Sequence, residues 1–393
     1  MIKFPFKREK GEKFLVLDIG TEAVKSLIFR REEGKNIILG SDLKDYYPLG
    51  IIDEKDFEKK EMEEIVSEVI TQAKKKAKIN IKGCVTFWRL PGTILKERVV
   101  PLFWERKDPK KIISQEKENE ICKEITNETR EKISKGIFQK SGILPQDLLF
   151  LDTKILQRRI DGYEINQLAG FSGRNLELRA LFAFLPKNYL ESIKRITKKL
   201  RLGSLKIILE SESLISAFSD QKLTGIFLDI GGKLTQITLM KEGKLIGFNS
   251  FEMGGEFFSQ KLAQTLGIDK ARAEDIKIRY AKRILSEEVR ERIRDMLSFS
   301  IQAWFDNLKI KLKEISEKEE KILPSTIFLL GGGSLLPEVE EILSGGNWED
   351  LSILSQPKVN FISLKDFKNI EDKSNIINIP RYIPTLLLCY VNV

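Results

Sequence analysis

The chain contains 393 residues, of which 41% are apolar and 32% charged, a composition typical of globular proteins with about two or three domains. It contains no histidine, so the sequence excludes Ser-His-Asp catalysis, Cys-His catalysis and metal sites with imidazole ligands. The 67 basic and 58 acidic residues give a net charge of +9. Because no stretch interleaves basic and aromatic residues, we expect no nucleic-acid partner. Three cysteines without CxxC spacing fit a reducing cytoplasm.

Neither a transmembrane segment nor a signal peptide is predicted. The longest apolar runs fall short of the roughly 18 to 20 residues that a membrane span requires. Residues 1–13 are basic but lack an apolar core segment, and we expect a solvated terminus there rather than a membrane contact.

Two β-hairpins with the same layout are predicted, one in each half of the chain. Residues 13–30 and 225–240 both place an apolar run before Asp-Ile-Gly, followed by a polar turn and an alternating strand. The aspartates of these motifs are Asp18 and Asp229. This repetition predicts an internal repeat and therefore two similar lobes.

Apolar periodicity predicts the main helices. Apolar residues recur every three or four positions over 61–78 and over 289–315, and the longer helix must end before Pro324. A further helix is expected at 188–201. Residues 83–182 change in character and predict a small β-α-β-β module inserted in the first lobe.

Three turns have the residue types that bind phosphate or a nucleotide base. An Asp-x-Gly at a strand end offers a carboxylate to hydrated magnesium and backbone N–H groups to phosphoryl oxygens. The glycine-rich turn at 331–334 follows a predicted strand and opens a helix, whose N-terminus favours anions. Together with the two hairpins, this turn predicts a nucleotide between the lobes. The P-loop and dinucleotide fingerprints are absent from the sequence.

The order of these motifs resembles that of the actin, sugar-kinase and Hsp70 superfamily, and within it the bacterial FtsA and PilM group. The phosphate motifs look like LDIGTEAVKSLI and LDIGGKLTQITL, and the adenosine motif looks like FLLGGGSLLPEV. The segment MGGEFFSQKLAQTLGIDKARAEDIKIRYA is similar to the FtsA segment that borders the nucleotide. The segment DGYEINQLAGFSGRNLELRALFAFLPKNYLESI resembles the inserted SHS2 or 1C module of FtsA. These similarities cover most of residues 13–390.

The resemblance implies an α/β, actin-like (ribonuclease H-like) fold with two lobes and an inserted small α+β module of the SHS2 or 1C type. The first lobe would comprise residues 11–82 and 336–393. Residues 83–182 would form the inserted module, and residues 183–335 would form the second lobe, with the adenosine motif at its end.

The resemblance also implies ATP and magnesium as cofactors. Asp18 and Asp229 would hold hydrated magnesium, and Glu210 would orient the attacking water, although a helix-capping role for Glu210 is equally open. Glu274 and Lys277 would lie at the ribose or base. The other residues implied to contact the nucleotide are Gly20, Thr21, Glu22, Lys25, Gly231, Gly232, Lys233, Gly254, Gly255, Gly331, Gly332, Gly333 and Ser334. At Lys233 and Leu234 the sequence departs from the usual second phosphate motif. This departure weakens the expectation of ATP turnover more than that of ATP binding.

Two functions follow from the resemblance. The first is an FtsA-like ATP-binding protein that assembles with itself and with a tubulin-like division protein at the cytoplasmic face of the membrane, with weak or absent hydrolysis. It would touch the membrane only peripherally, through partners. The alternative is a PilM-like adaptor of type IV pilus assembly that binds a peptide of a membrane partner. The inserted module favours the first function, and the lack of a basic amphipathic helix before Val393 favours the second. A small-molecule kinase has no sequence support.

Overall fold

The computed structural model describes residues 11–46, 60–318, 322–374 and 380–392, so the N-terminal prediction lies almost entirely outside the described residues. The strands are β1 (Glu12–Ile19), β2 (Ala23–Glu32), β3 (Lys35–Asp45), β4 (Val85–Arg89), β5 (Lys96–Glu105), β6 (Leu148–Ile160), β7 (Tyr163–Ile165), β8 (Asn175–Pro186), β9 (Leu205–Ile207), β10 (Gly225–Ile230), β11 (Thr235–Lys241), β12 (Lys244–Phe251), β13 (Thr326–Leu330), β14 (Lys358–Phe361) and β15 (Ile370–Asp372). The α-helices are α1 (Lys60–Ala77), α2 (Gln115–Ser141), α3 (Lys187–Lys199), α4 (Glu210–Phe218), α5 (Gly255–Leu266), α6 (Lys270–Ala281), α7 (Glu287–Lys318), α8 (Pro337–Gly345) and α9 (Ile383–Leu387). No helix within the described ranges combines the length and the apolar content that crossing a bilayer requires.

Two of the sheets are built on the same plan. The first has the strand order β15-β3-β2-β1-β4-β9, and the second has the order β12-β11-β10-β13-β14. In each, the strand that ends in Asp-Ile pairs antiparallel with the next strand of its hairpin and parallel with a later strand on its other side. Both predicted hairpins are therefore present, and the predicted repeat is confirmed by the strand pairing.

The inserted module contains the third sheet, with the order β5-β8-β6-β7, and α2 packs against it. Three strands lie in other sheets than the predicted boundaries suggest. β9, inside 183–335, belongs to the first sheet because it pairs with β4. β4, inside 83–182, belongs to the first sheet because it pairs with β1. β14, inside 336–393, belongs to the second sheet because it pairs with β13. The domain boundaries themselves stay a prediction.

The predicted helices at 61–78, 188–201 and 289–315 are confirmed as α1, α3 and α7. α1 begins with acidic residues, ends with lysines and buries one apolar face against the first sheet, an arrangement that matches both the amphipathic pattern and the helix dipole.

A buried cluster of apolar side chains joins the two sheets. Phe14 and Phe29 of the first sheet stack with ring centroids 4.9 Å apart, and Phe227 of the second sheet lies in the same cluster. The short helix α9 packs into this cluster with all its residues buried. This packing positions the hydroxyl of Thr385 beside Asp18.

The packing of α1 on the first sheet leaves no room for a side chain at Gly40. A Cβ atom there would lie 2.5 Å from the carbonyl oxygen of Ala73 and 2.6 Å from the backbone nitrogen of Ala77. We expect Gly40→Ala to lower the free energy of unfolding by about 1 to 3 kcal/mol in a urea titration, because the helix must move away from the sheet.

The matched control is Gly136→Ala. Gly136 lies inside α2, and a Cβ atom there would meet nothing within 4 Å. This variant should be neutral or stabilising by up to about 1 kcal/mol. If Gly40→Ala unfolds at the same urea concentration as the unaltered protein, the described packing of α1 is wrong.

Candidate functional site

The turns of the two hairpins are constructed alike. The backbone nitrogen of Gly20 donates to the carbonyl oxygen of Ala23 at 2.9 Å, and that of Gly231 donates to Leu234 at 2.9 Å. Both turns lie in one cleft between the lobes. The repeat seen in the sequence therefore extends to the hydrogen bonding of the turns.

The two turns touch each other directly. The backbone nitrogen of Lys233 donates to Thr21 Oγ1 at 3.1 Å. A Cβ atom at Gly232 would lie 2.5 Å from the same Oγ1 and 2.6 Å from Glu22 Cγ. The second turn thus requires glycine because the first turn approaches it so closely.

Asp18 and Asp229 occupy equivalent places in their sheets but have different neighbours. Asp18 lies opposite Arg89 in the parallel pairing of β1 with β4. Asp229 lies opposite Leu330 in the parallel pairing of β10 with β13. The first lobe therefore carries an arginine at the position where the second lobe carries a leucine.

Arg89 binds three carboxylates at once. Its Nη1 donates to Asp18 Oδ1 at 3.0 Å, and its Nε donates to Glu210 Oε2 at 2.7 Å. Its Nη2 contacts Glu210 Oε2 at 2.6 Å and also donates to Asp229 Oδ2. Arg89 is only 8% exposed. The carboxylates raise the pKa of Arg89 above its ordinary value although burial alone would lower it, so one buried cation connects both lobes.

The second carboxylate oxygen of Asp18 is also occupied. Asp18 Oδ2 accepts from Lys25 Nζ at 2.9 Å and from Thr385 Oγ1 at 2.7 Å. Burial by itself would raise the pKa of Asp18, but the charges of Lys25 and Arg89 hold that pKa well below its ordinary value. Asp18 is therefore ionised and fully bound by groups of the protein.

Glu97 of the inserted module caps α4, the helix that begins at Glu210. Its Oε1 accepts from the backbone nitrogen of Glu210 at 2.7 Å, and its Oε2 accepts from the backbone nitrogen and the hydroxyl of Ser211. The N-cap residue Leu209 has no side chain able to do this. Burial raises the pKa of Glu97 to about 7, although these hydrogen bonds act to lower it.

Glu210 does not cap a helix with its own side chain. Its Oε2 accepts both contacts from Arg89, and its buried Oε1 has no hydrogen-bond partner within the described residues. Burial raises the pKa of Glu210; Arg89 opposes this shift, and the charge of Asp229 adds to it.

The glycine-rich turn after β13 packs against Asp229. Gly331 has φ +85°, and a Cβ atom there would lie 2.2 Å from Asp229 Oδ1. Ser334 Oγ donates to the carbonyl oxygen of Gly331 at 2.7 Å, and a Cβ atom at Gly333 would lie 2.4 Å from Ile230 Cγ2. Gly332 faces Arg381, whose Cγ would be 3.7 Å from such an atom.

The residues predicted to border the ribose or base bind one another. Lys277 Nζ donates to Glu274 Oε2 at 2.7 Å and to the carbonyl oxygen of Gly255 at 2.8 Å. The backbone nitrogen of Gly255 donates to the second turn at 2.8 Å, and a Cβ atom at Gly254 would lie 2.4 Å from the carbonyl oxygen of Gly232. The N-terminus of α5 is thus packed directly on the second turn.

As arranged, these residues do not fit a metal-bound triphosphate. The cleft between the turns has a volume of about 70 Å³, well below the roughly 300 to 1,000 Å³ of typical ligand pockets. Within the described part of the chain, no acidic or cysteine side chains form a group of three or more that could hold a metal ion. The Arg89 guanidinium already binds Asp18 and Asp229, and its positive charge would repel a divalent cation at these carboxylates.

The sequence predictions missed Arg89, Glu97 and Thr385. Arg89 in CVTFWRL and Thr385 in IPTLLLCYV each lie in a largely apolar or β-forming segment, and Glu97 lies between Lys96 and Arg98 at the start of β5. A charged residue at the end of a buried strand, on the same sheet edge as Asp18, was the available signal for Arg89.

The fold is that of the actin-like proteins, as predicted. The chain aligns with a chain of the solved PilM-PilN type IV pilus biogenesis complex at a TM-score of 0.67 and 14% identity, covering 95% of this chain and 97% of that one. This likeness concerns the fold.

Sequence comparison finds similarity to one family with this fold, the cell division protein FtsA. Residues 226–360 match the family model described as cell division protein FtsA. The chain is 22% identical to the cell division protein FtsA of Streptococcus pneumoniae serotype 2 (strain D39 / NCTC 7466), covering 84% of this chain and 72% of that protein. It is 26% identical to the FtsA of Enterococcus hirae, covering 84% and 75%. The chain is thus similar in sequence to FtsA proteins and in fold to PilM, the two resemblances that the motifs predicted.

The cap on α4 can be tested with Glu97→Gln. The amide offers one acceptor oxygen where the carboxylate offers two, so donors at the start of α4 lose a partner while buried. We expect the free energy of unfolding to fall by about 1 to 2 kcal/mol in urea.

Glu105→Gln is the control, because Glu105 lies at the other end of β5 in an exposed pair with Arg174 at 3.4 Å. It should change the free energy of unfolding by less than about 0.5 kcal/mol. Equal midpoints for both variants would show that Glu97 does not hold the start of α4.

Proposed function

We propose that this chain is an FtsA-like assembly protein that associates with itself and with a tubulin-like division protein. It would act in the cytoplasm at the inner face of the cell membrane, which it reaches through its partners. The observation that carries the proposal is the similarity to two FtsA proteins over 84% of the chain. That span is long enough to include parts of both lobes and the inserted module.

Hydrolysis of ATP is weak or absent in this proposal. Glu210, the candidate for orienting an attacking water, is bound through Oε2 to Arg89, which holds its side chain toward the buried carboxylate cluster. Asp18 is likewise fully bound. ATP with magnesium remains part of the proposal as a ligand pair that enters only after Arg89 has left Asp18 and Asp229.

One observation favours the PilM-like adaptor as a second candidate. A groove of about 590 Å³ lies between β5 of the inserted module and β12 of the second sheet. Both strands stand at the end of their sheets in the described residues, and such edges can accept an extended peptide as an added strand. Three basic residues, Lys96, Arg98 and Lys140, and two acidic ones, Glu97 and Glu314, line the groove. The small basic excess favours an acidic peptide.

Cosedimentation decides between these candidates. We expect the purified protein to pellet with filaments of the tubulin-like division protein from the same cell and to remain in the supernatant without them. If it fails to pellet but binds the cytoplasmic peptide of a pilus membrane protein with micromolar affinity, the adaptor function is correct and the division function is wrong.

Peptide binding has its own matched variants. Arg98→Glu reverses a charge in the groove and should weaken binding of an acidic peptide at least tenfold by fluorescence anisotropy. Lys132→Glu makes the same change on an exposed position of α2 outside the groove and should have no effect. Equal affinities for the two variants would exclude this groove as the peptide site.

A further inference from the structure

The internal repeat provides a reference for Arg89. β4 and β13 are equivalent strands, each parallel to the strand that carries a cleft aspartate. At the residue opposite the aspartate, the second lobe has Leu330, which is fully buried. A strand in this position therefore folds with an apolar residue, and the charge at Arg89 must be explained by what its guanidinium contacts.

The guanidinium divides its donors between lobes. A lone arginine–carboxylate pair usually forms two parallel hydrogen bonds with the two oxygens of one carboxylate. Here Nε and Nη2 both contact Oε2 of Glu210, Oε1 of Glu210 stays without a partner within the described residues, and Nη2 also reaches Asp229. Nη1 is directed to Asp18 of the other hairpin. Arg89 therefore does not form two parallel hydrogen bonds with Glu210, because its Nη1 binds Asp18 and its Nη2 also binds Asp229.

We propose that Arg89 is the resident cation of this cleft. It neutralises Asp18 and Asp229 in place of hydrated magnesium, holds the two lobes together without any ligand, and excludes magnesium-bound nucleotide until it is displaced. The inference rests on the proposed function only for the identity of the competing ligand.

The hydrogen bonds of Arg89 also argue against the alternative that this arginine serves to bind phosphate. An arginine that served to bind phosphate would keep its donors available to the cleft. All the donors described for Arg89 are instead directed to carboxylates, and Lys25 is directed to Asp18. Arg89 and Lys25 are thus both bound to carboxylates of the protein itself.

The test measures binding of a fluorescent ATP analogue with and without Mg²⁺ to the full chain. Arg89→Gln frees Asp18 and Asp229, and we expect it to bind the analogue at least tenfold more tightly than the unaltered protein, in a strictly Mg²⁺-dependent manner. Lys132→Gln removes a positive charge at an exposed position of α2 outside the cleft and should bind like the unaltered protein. The proposal is overturned if the unaltered protein binds as tightly as Arg89→Gln, or if Arg89→Gln weakens binding.

Arg89→Gln leaves buried carboxylates without their cation and could unfold the protein. A second variant is therefore needed. Arg89→Gln combined with Glu210→Gln removes one of these carboxylates and keeps Asp18 and Asp229. Without nucleotide, MgCl₂ should raise the melting temperature of this double variant and leave that of the unaltered protein unchanged. An equal Mg²⁺-dependent rise in both proteins would overturn the proposal.

The role of Arg89 and the proposed function can be refuted separately. If the protein binds no division or pilus partner while Arg89→Gln gains Mg²⁺-dependent binding, the proposed function falls and the role of Arg89 stands. If partner binding is found but Arg89→Gln gains nothing, the role of Arg89 falls and the proposed function stands.

Discussion

The cleft depends on one buried guanidinium that serves carboxylates from both lobes. Burying an ionised carboxylate is costly unless a cation and hydrogen bonds compensate it, and here Asp18, Asp229 and Glu210 share Arg89. Removing one partner of such a buried cluster typically costs about 3 to 5 kcal/mol, because the remaining charges are left uncompensated. The close packing of the turns around the cleft brings Arg89 and the three carboxylates into contact.

Glycine is required at several positions because the backbone segments of the cleft approach each other closely there. Gly232 lies against Thr21 of the opposite turn, Gly331 lies against Asp229 in a left-handed backbone conformation, and Gly254 lies against the second turn. The close approaches that suit a phosphate-binding turn are used here to bring protein against protein. The small volume of the cleft follows from these contacts.

Local patterns were sufficient to predict the hairpins and the long helices. Hairpins and amphipathic helices depend on near neighbours, which a sequence displays directly. What neutralises the two aspartates could not be predicted in this way. Arg89 becomes a partner of Asp18 because β4 pairs with β1, and Thr385 reaches Asp18 from a helix 367 residues away in sequence. The sheet memberships of β4 and β14 depend on the same long-range pairing.

The most direct test of the central contact is a double-mutant cycle between Arg89→Gln and Asp229→Asn, with free energies of unfolding measured in urea without Mg²⁺ or nucleotide. Because the two side chains belong to different lobes, a coupling energy reports the contact across the cleft. A coupling of more than about 1.5 kcal/mol is predicted, which lies within the range for residues in contact. Additive effects, within about 0.5 kcal/mol, would mean that the guanidinium does not join the lobes.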